Sequence, residues 1–464
     1  MKSIKKTIKL VKTRKLKRKL KRRGLKGGNI CSDSAFCLAF RIERDEIKAY
    51  FENFLNFGLV NTKGVKKIGN KGNSGFVYEL PFEKDGYESL AVLKSAIRPK
   101  SDNLVYEGYV GMFLNHIGKF YPCFIETYGI GKYEGKYIEL YDSLKNETAI
   151  DPDLLSSLTL TYPTEKTIET IGESCIDSQH KCLLVQHIKN MESLREISEN
   201  NGMDMDMIQY LYQVYCPLDS IQDNFTHYDL HRNNAIVYYP SQNRDKCIFM
   251  VYHYPDGHTV EFKTFGLLKL IDYGRCFFKA NNVNSEIIKN IICKTRECDP
   301  DCGVDKGFLS FDLKEYHINS EKRNCSHDLR LMNDIIRGKI KDDQIEPFLD
   351  EIDEKIVYSV GIENNVDFME HLKNEYDGNP KYIKSYLQEE IKRFNKYGTP
   401  EIEENGYPDY IFNVGDAHML LKDMIESQEF KTANDKKYKD VPVMGRMNVW
   451  VDGLRDRQAT IYET

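Results

Sequence analysis

The hydrophobic pattern changes character along the chain. In the first third, apolar residues come in short alternating runs, the period-2 signature of half-buried strands. Val65–Gly69, Phe76–Phe82 and Leu90–Ser95 read as strands separated by glycine-rich or charged turns. Asn103–Ile117 breaks the alternation, because Leu104, Glu107, Gly111 and Leu114 recur at helical spacing and predict one helix. Two further strands are predicted at Phe124–Tyr128 and Lys136–Leu140, followed by a polar stretch at about 141–180 that reads as an insertion or long loop. The run K-C-L-L-V-Q-H-I, Lys181–Ile188, has the length and continuity of a buried strand. Helices are expected to dominate after it, notably at Met203–Cys216. Cys247–Tyr254 and His258–Thr264 alternate on either side of Pro255-Asp256-Gly257 and predict a hairpin. Leu268–Gly274 (L-K-L-I-D-Y-G) is an apolar strand running into a glycine turn, and Trp450 between Val449 and Val451 reads as the anchor of a last core strand. Strands first and helices later, linked near residues 186–192, predict an α+β fold of two lobes, the first small and β-rich and the second larger and mainly helical.

Composition changes this picture at one end only. With 464 residues, 41% of them apolar, the chain is long enough for a full hydrophobic core. Residues 1–29 hold 14 Lys/Arg and no Asp or Glu, which leaves 52 Lys/Arg against 71 Asp/Glu in the remainder. A basic arm, expected to be disordered, thus precedes an acidic body. Its charge suits a nucleic acid, an anionic surface or an import receptor, or simply solvation. No run approaches the roughly 18 apolar residues of a membrane-spanning helix, and no apolar segment marks an export signal. The twelve cysteines are therefore expected mainly as free thiols. Cys293, Cys298 and Cys302 cluster at a spacing that fits no standard zinc finger. They read as buried thiols, or as a zinc site completed by Cys325 with His327 or His317.

Three stretches carry candidate chemistry. In H-Y-D-L-H-R-N-N, residues 227–234, Asp229 can accept a proton from a hydroxyl, and Asn234, five residues on, can offer an amide oxygen to a metal. Asp272 stands at the end of an apolar strand, where a second carboxylate can ligate Mg²⁺ bound to phosphates. Upstream, Gly69, Gly72 and Gly75 in I-G-N-K-G-N-S-G-F-V allow backbone N–H groups to approach phosphate oxygens. Lys94, ending the buried run A-V-L-K, needs a partner, and Glu107 on the following helix is available, with Glu126 as a second choice.

Taken in this order, a glycine-rich loop, a strand lysine, an H-x-D-x-x-x-x-N loop and a D-x-G turn, the chain resembles the protein-kinase-like superfamily. It looks most like divergent serine/threonine kinases of large DNA viruses, through Y-E-G-Y-V-G, F-Y-P-C-F-I-E-T-Y-G, N-F-T-H-Y-D-L-H and I-D-Y-G-R. The resemblance implies a kinase-like N-lobe at 65–188 after an extension at 30–64. It implies a C-lobe at 189–464 carrying an inserted hairpin at about 235–265 and the cysteine-containing loop 293–302. It implies ATP and Mg²⁺ as cofactors and a protein Ser/Thr as the acceptor. Gly69, Gly72, Gly75 and Val77 would cover the nucleotide. Lys94, paired with Glu107, would hold its phosphates, and Gln186, His187 and Ile188 in the hinge would read the adenine edge. Asp229 would be the base, Asn234 and Asp272 the metal ligands, and His227 a structural brace. A viral source would place the protein in the host cytoplasm or the virion, or in the nucleus through the arm.

Departures from the family pattern point elsewhere too. His231 stands where a lysine commonly follows the base, Tyr228 where many kinases carry an arginine that clamps a phosphorylated loop, and no A-P-E triplet follows Asp272. Between Asn234 and Asp272 lie 37 residues, against about a dozen in ordinary kinases. A small-molecule phosphotransferase of the aminoglycoside- or choline-kinase type, or a weakly active pseudokinase scaffold, are the alternatives.

Overall fold

The computed structural model describes residues 47–68, 75–96, 104–133, 155, 157–164, 167, 180–188, 190–201, 204–241, 243–280, 283–292, 309–310, 318–321, 323–324, 326–336, 343–356, 411, 413–451 and 460–463. The basic arm, Gly69, Gly72, the strand expected at Lys136–Leu140, and Cys293, Cys298, Cys302, Cys325 and His317 lie outside these residues. The described residues form a mixed α/β structure built on a multi-stranded antiparallel sheet.

That sheet has six strands: β1 (Lys66–Lys67), β2 (Gly75–Lys84), β3 (Tyr87–Ala96), β4 (Thr127–Lys132), β5 (Thr159–Thr161) and β6 (Lys181–Gln186), in the order β1-β2-β3-β6-β4-β5. β2 and β3 form a hairpin paired over ten positions and turned by Asp85 and Gly86, both at positive φ. Two expectations shift here. β4 starts at Thr127, because Phe124 bridges instead to Leu270 across the structure. The polar stretch after it contributes an edge strand, β5, with Leu155 and Leu158 buried behind it.

Alternation sends the two faces of the sheet to different partners. Leu93, Cys182 and Leu184 face an aromatic cluster with Tyr50, Phe51, Phe54 and Phe57 from the segment preceding β1. Leu183 and Val185 face the helix α1 (Leu104–Ile117). This helix lies unusually close to the sheet. A Cβ at Gly108 would come within 2.5 Å of Ile130, and one at Gly111 would overlap Thr127 Oγ1. Glycine is needed at both positions for approach, not for backbone freedom.

Beyond residue 189 the chain is richer in strands than its helical periodicity suggested. β7 (Met191–Ser193) pairs with β9 (Ala235–Tyr238), which pairs with β12 (Leu267–Leu270). Between them stand α2 (Asp206–Ile221) and β8 (Phe225–Thr226), the helix running five residues past its predicted end at Cys216. β10 (Cys247–His253) and β11 (Thr259–Thr264) form the predicted hairpin, turned at Gly257 with φ +86°. The hairpin is not a free-standing insert. β16 (Val443–Trp450) lies parallel to β10 over seven residue pairs, and β17 (Thr460–Glu463) completes a four-stranded sheet. Trp450 is half-buried, stacked on His253 at 5.2 Å, and the core contacts come from Val449 and Val451.

The smaller pieces are β13 (Phe277–Phe278), paired with β8, α3 (Ser285–Ile292), and the ladder of β14 (Leu309–Ser310) with β15 (Ile318–Asn319). They are followed by α4 (Arg330–Ile336), α5 (Glu346–Lys355), α6 (Val414–Glu426) and α7 (Gln428–Lys437). One continuous core runs from α1 and the inner sheet face through α2, β9, β10 and β12 to α6 and β16. Cys123, Cys182, Cys216, Cys247 and Cys276 are buried free thiols within the described residues.

The tight seat of α1 makes Gly111 a test of the packing. Gly111→Val is expected to cost about 1–3 kcal/mol through overpacking, added to the poor helix propensity of a β-branched residue. A urea titration monitoring the unfolding midpoint checks this; an unchanged midpoint would mean that α1 is free to lift off the sheet.

Candidate active site

The site begins with a register. Lys94 lies opposite Val77 on β2 and Leu183 on β6, so its side chain points to the face that α1 covers. There its Nζ meets Glu107 Oε1 at 2.6 Å. Glu107 is almost fully buried, and burial pushes its carboxyl pKa up while the Lys94 charge pulls it back. Asp272 adds a second upward push, which puts its carboxylate within electrostatic reach of the pair. The Tyr273 backbone amide also donates to Glu107. Glu126, the second candidate partner for Lys94, is taken instead by Lys48 at 2.7 Å.

The turn carrying Asp272 is pinned from several sides. Leu270 N–H donates to Cys123 O at 2.7 Å, and Lys269 Nζ donates to Pro122 O. Tyr273 Oη takes a hydrogen bond from Ile125 N–H and donates to Leu270 O. From α1, Tyr106 Oη donates to Cys276 O at 2.5 Å. Asp272 itself sits at φ +69° with an exposed side chain. A non-glycine residue holds that conformation only where its surroundings fix it.

The loop at 227–234 meets the same turn. His227 is fully buried, its Nε2 lies 3.1 Å from Ile271 O, and burial lowers its pKa to about 4, so it serves as a neutral brace. Ile271 N–H donates to Asn234 O at 3.0 Å, which ties the loop to the residue just before Asp272. Asn234 Nδ2 donates to the Asp229 carbonyl at 2.9 Å. That leaves its Oδ1 for a cation. An exposed carboxylate and an amide oxygen are the hard donors Mg²⁺ takes, usually beside waters and phosphates. Among the described residues no three His, Cys, Asp or Glu side chains form a cage, so a metal here would come with such outside ligands.

Asp229 is about nine-tenths buried and flanked by two arginines and a histidine. Arg330 Nη1 lies 3.2 Å from Oδ1, Arg275 Nε 3.9 Å from Oδ2, and His231 Nε2 3.6 Å from Oδ1. His231 accepts the Asn233 N–H on Nδ1, so its ring proton sits on Nε2, on the Asp229 side.

Of the hinge candidates, Gln186 spends its side chain and its N–H on the backbone of Glu126, and His187 Nε2 lies 2.7 Å from Glu79 Oε2. Ile188 is buried in the main core, Val77 is half-buried, and Gly75 opens β2.

Two residues that the sequence reading passed over hold the loop in place. Asp328 is buried and accepts both the His227 N–H at 2.7 Å and the Tyr228 N–H at 2.9 Å. Tyr228 stands at φ +61° with its ring 4.8 Å from that of His327, so the strained residue is held at its amide and at its ring. Arg330, two residues on, is the partner of Asp229. Nothing in H-D-L-R, residues 327–330, signals a tie to a loop a hundred residues earlier.

No protein-family model matches the chain, and a search of curated proteins finds no match. Among solved structures a Plasmodium kinase domain is similar at a TM-score of 0.25 and 18% identity, over 48% of this chain. The match spans 54% of that domain's length, about half. A likeness of that extent leaves the functional reading to the geometry of the site.

Asp328 yields a pH signature. Burial outweighs its two N–H donors and raises its pKa to about 7, so the folded state binds this proton more tightly than the unfolded chain does. Its contribution to stability therefore falls as pH rises from about 4 to about 7. Asp328→Asn removes that loss. The difference in urea midpoint, variant minus wild type, should climb across this window; parallel profiles would show that the carboxyl keeps its ordinary titration.

Proposed function

We propose that the chain is an ATP- and Mg²⁺-dependent phosphotransferase with a two-lobed, protein-kinase-like arrangement, acting most directly on Ser/Thr of a protein. The observation that carries this reading is the meeting of three separate segments at Asp272. The Lys94–Glu107 pair approaches it through Glu107, and the Asp229–Asn234 loop through the Ile271–Asn234 hydrogen bond. Phosphoryl transfer asks mainly for positioning and charge neutralisation, which such a constellation can supply.

In this reading Lys94 holds the α- and β-phosphates, held in turn by Glu107. Asn234 and Asp272 would hold Mg²⁺, which when bound would neutralise phosphate charge. Asp229 orients the acceptor hydroxyl. The bond between the γ-phosphorus and the ADP oxygen breaks, the acceptor oxygen bonds to phosphorus, and the acceptor proton passes to Asp229. Gly69, Gly72 and Gly75 would cover the phosphates, and the backbone at 186–188 would border the adenine. A small-molecule acceptor is the second reading, favoured by His231 at 3.6 Å from Asp229 in place of the usual lysine. A panel of protein and metabolite acceptors separates the two.

Asp229→Asn is expected to lower turnover by about 10²–10⁴-fold with nucleotide affinity retained. Unchanged turnover would remove Asp229 from the role of base. Lys94→Ala should instead weaken Mg–ATP binding, read by a nucleotide titration, and an unaltered titration would count against its phosphate role. The basic arm we assign to an anionic partner, on the strength of its separation from the acidic body. Deleting residues 1–29 should weaken binding to nucleic acid and flatten its dependence on salt; equal salt slopes would leave the arm a targeting or solvating segment.

A further inference from the structure

In phosphoryl transfer negative charge is spread over the three equatorial oxygens of the migrating group and develops on the leaving phosphate, and a fixed cation beside the base offsets it. Position 231 does not supply one in this chain. Its imidazole takes the Asn233 N–H on Nδ1 and so presents a single N–H, not a full charge. The fixed cations lie elsewhere. Arg275, directly after the Asp272-Tyr273-Gly274 turn, and Arg330, at the start of α4, flank Asp229 on opposite carboxylate oxygens. Their side chains are 28% and 19% exposed and that of Asp229 is 12% exposed, so water screens these charges only in part.

Two features make this placement more than a surface ion pair. Arg330 is held two residues from Asp328, whose carboxylate receives the N–H groups of His227 and Tyr228, so the segment that carries the guanidinium also fixes the loop it faces. Arg275 is held by a backbone contact, because its carbonyl accepts Ser320 Oγ at 2.8 Å. Both guanidiniums therefore reach Asp229 from anchored backbone.

We propose that Arg330, assisted by Arg275, is the in-chain arginine that stabilises the phosphoryl group in flight, doing at this site what a lysine two residues after the base would do. The proposal rests on the phosphotransferase reading above. When an acceptor hydroxyl approaches Asp229, the guanidiniums turn from the carboxylate toward the oxygens of the migrating group. No proton leaves either arginine. The bonds that change are the two at phosphorus, the acceptor O–H that breaks and the O–H that forms on Asp229.

The test needs no knowledge of the acceptor. Mg–ADP affinity of the full chain is measured with and without aluminium fluoride, which with ADP mimics the transferring phosphoryl group, for wild type, Arg330→Ala, Arg330→Lys and Arg275→Ala. Wild type should bind Mg–ADP more tightly with the fluoride present. Arg330→Ala should lose most of that gain, up to about 10²–10³-fold, with affinity for Mg–ADP alone nearly unchanged. Arg330→Lys should recover part of the loss, and Arg275→Ala should lose less. A structural role for Arg330 would weaken both measurements equally and overturn the proposal, as would a full fluoride gain in Arg330→Ala. Tighter binding in that variant would mark the arginine as an inhibitory lock and overturn the assignment as well. Wild type that binds Mg–ADP but shows no fluoride gain also overturns the arginine role, while the nucleotide site stands. Failure of wild type to bind Mg–ADP at all would instead sink the phosphotransferase reading, and the arginine role with it.

Discussion

The structure depends on a carboxylate taken out of water. Glu107 lies on the buried face of α1, and a charge there is costly without a counter-charge. Lys94 supplies it from β3 at 2.6 Å. The contact requires α1 to sit close to the sheet, which Gly108 and Gly111 permit, and requires Lys94 to face inward, which the β2–β3–β6 register dictates. Removing either condition would strand one buried charge. Asp272 sharpens the constraint, since its carboxylate raises the cost of ionising Glu107. The site thus carries more negative charge than Lys94 alone offsets, a setting that suits added cations.

The second anchor is also a buried carboxylate. Asp328 collects two backbone N–H groups from a loop in which Tyr228 adopts positive φ. Strain of that kind costs on the order of 1–3 kcal/mol, and it is offset here by hydrogen bonding and by burial of the Tyr228 ring. Tyr228 has Phe277 beside it in a small apolar cluster, so the loop also leans on the strand that follows the Asp272 turn. Loop and turn are in this way fixed to each other by side chains and backbone from at least three distant segments.

The far face of the sheet shows a different economy. Residues 47–64 bring Tyr50, Phe51, Phe54 and Phe57 onto the surface formed by Leu80, Phe82, Leu93 and Tyr128. Phe54 packs edge-on to Phe82 at 5.0 Å and stacks on Tyr128 at 4.6 Å. Such aromatic packing buries large areas at low entropic cost. Lys48 in the same segment reaches Glu126, whose backbone pairs with Gln186 at the end of β6. The segment ahead of the first strand is therefore part of the scaffold around the candidate hinge.

Much of this was legible in the chain itself, wherever the signal is local. Period-2 alternation placed β2, β3 and the β10–β11 hairpin to within a few residues, a continuous apolar run placed β6, and period-3.6 spacing placed α1. Lys94, Glu107, Asp229, Asn234 and Asp272 could be nominated because a buried lysine needs a carboxylate, an acid and an amide five apart can serve a hydroxyl and a metal, and the pieces follow one another in a set order. Their meeting could not be read, because it rests on contacts between residues far apart in sequence. The parallel pairing of β10 with β16 joins residues nearly two hundred apart, and an apolar strand carries no label for its partner. Asp328 and Arg330 were invisible for the same reason, since an acid and a base two apart look like any solvated turn until folding buries them against residues 227–229. Sequence determined which residue types were on offer and which face each would take. Tertiary structure alone decided which charges were removed from water together, and that shared loss of solvation gives the site its chemistry.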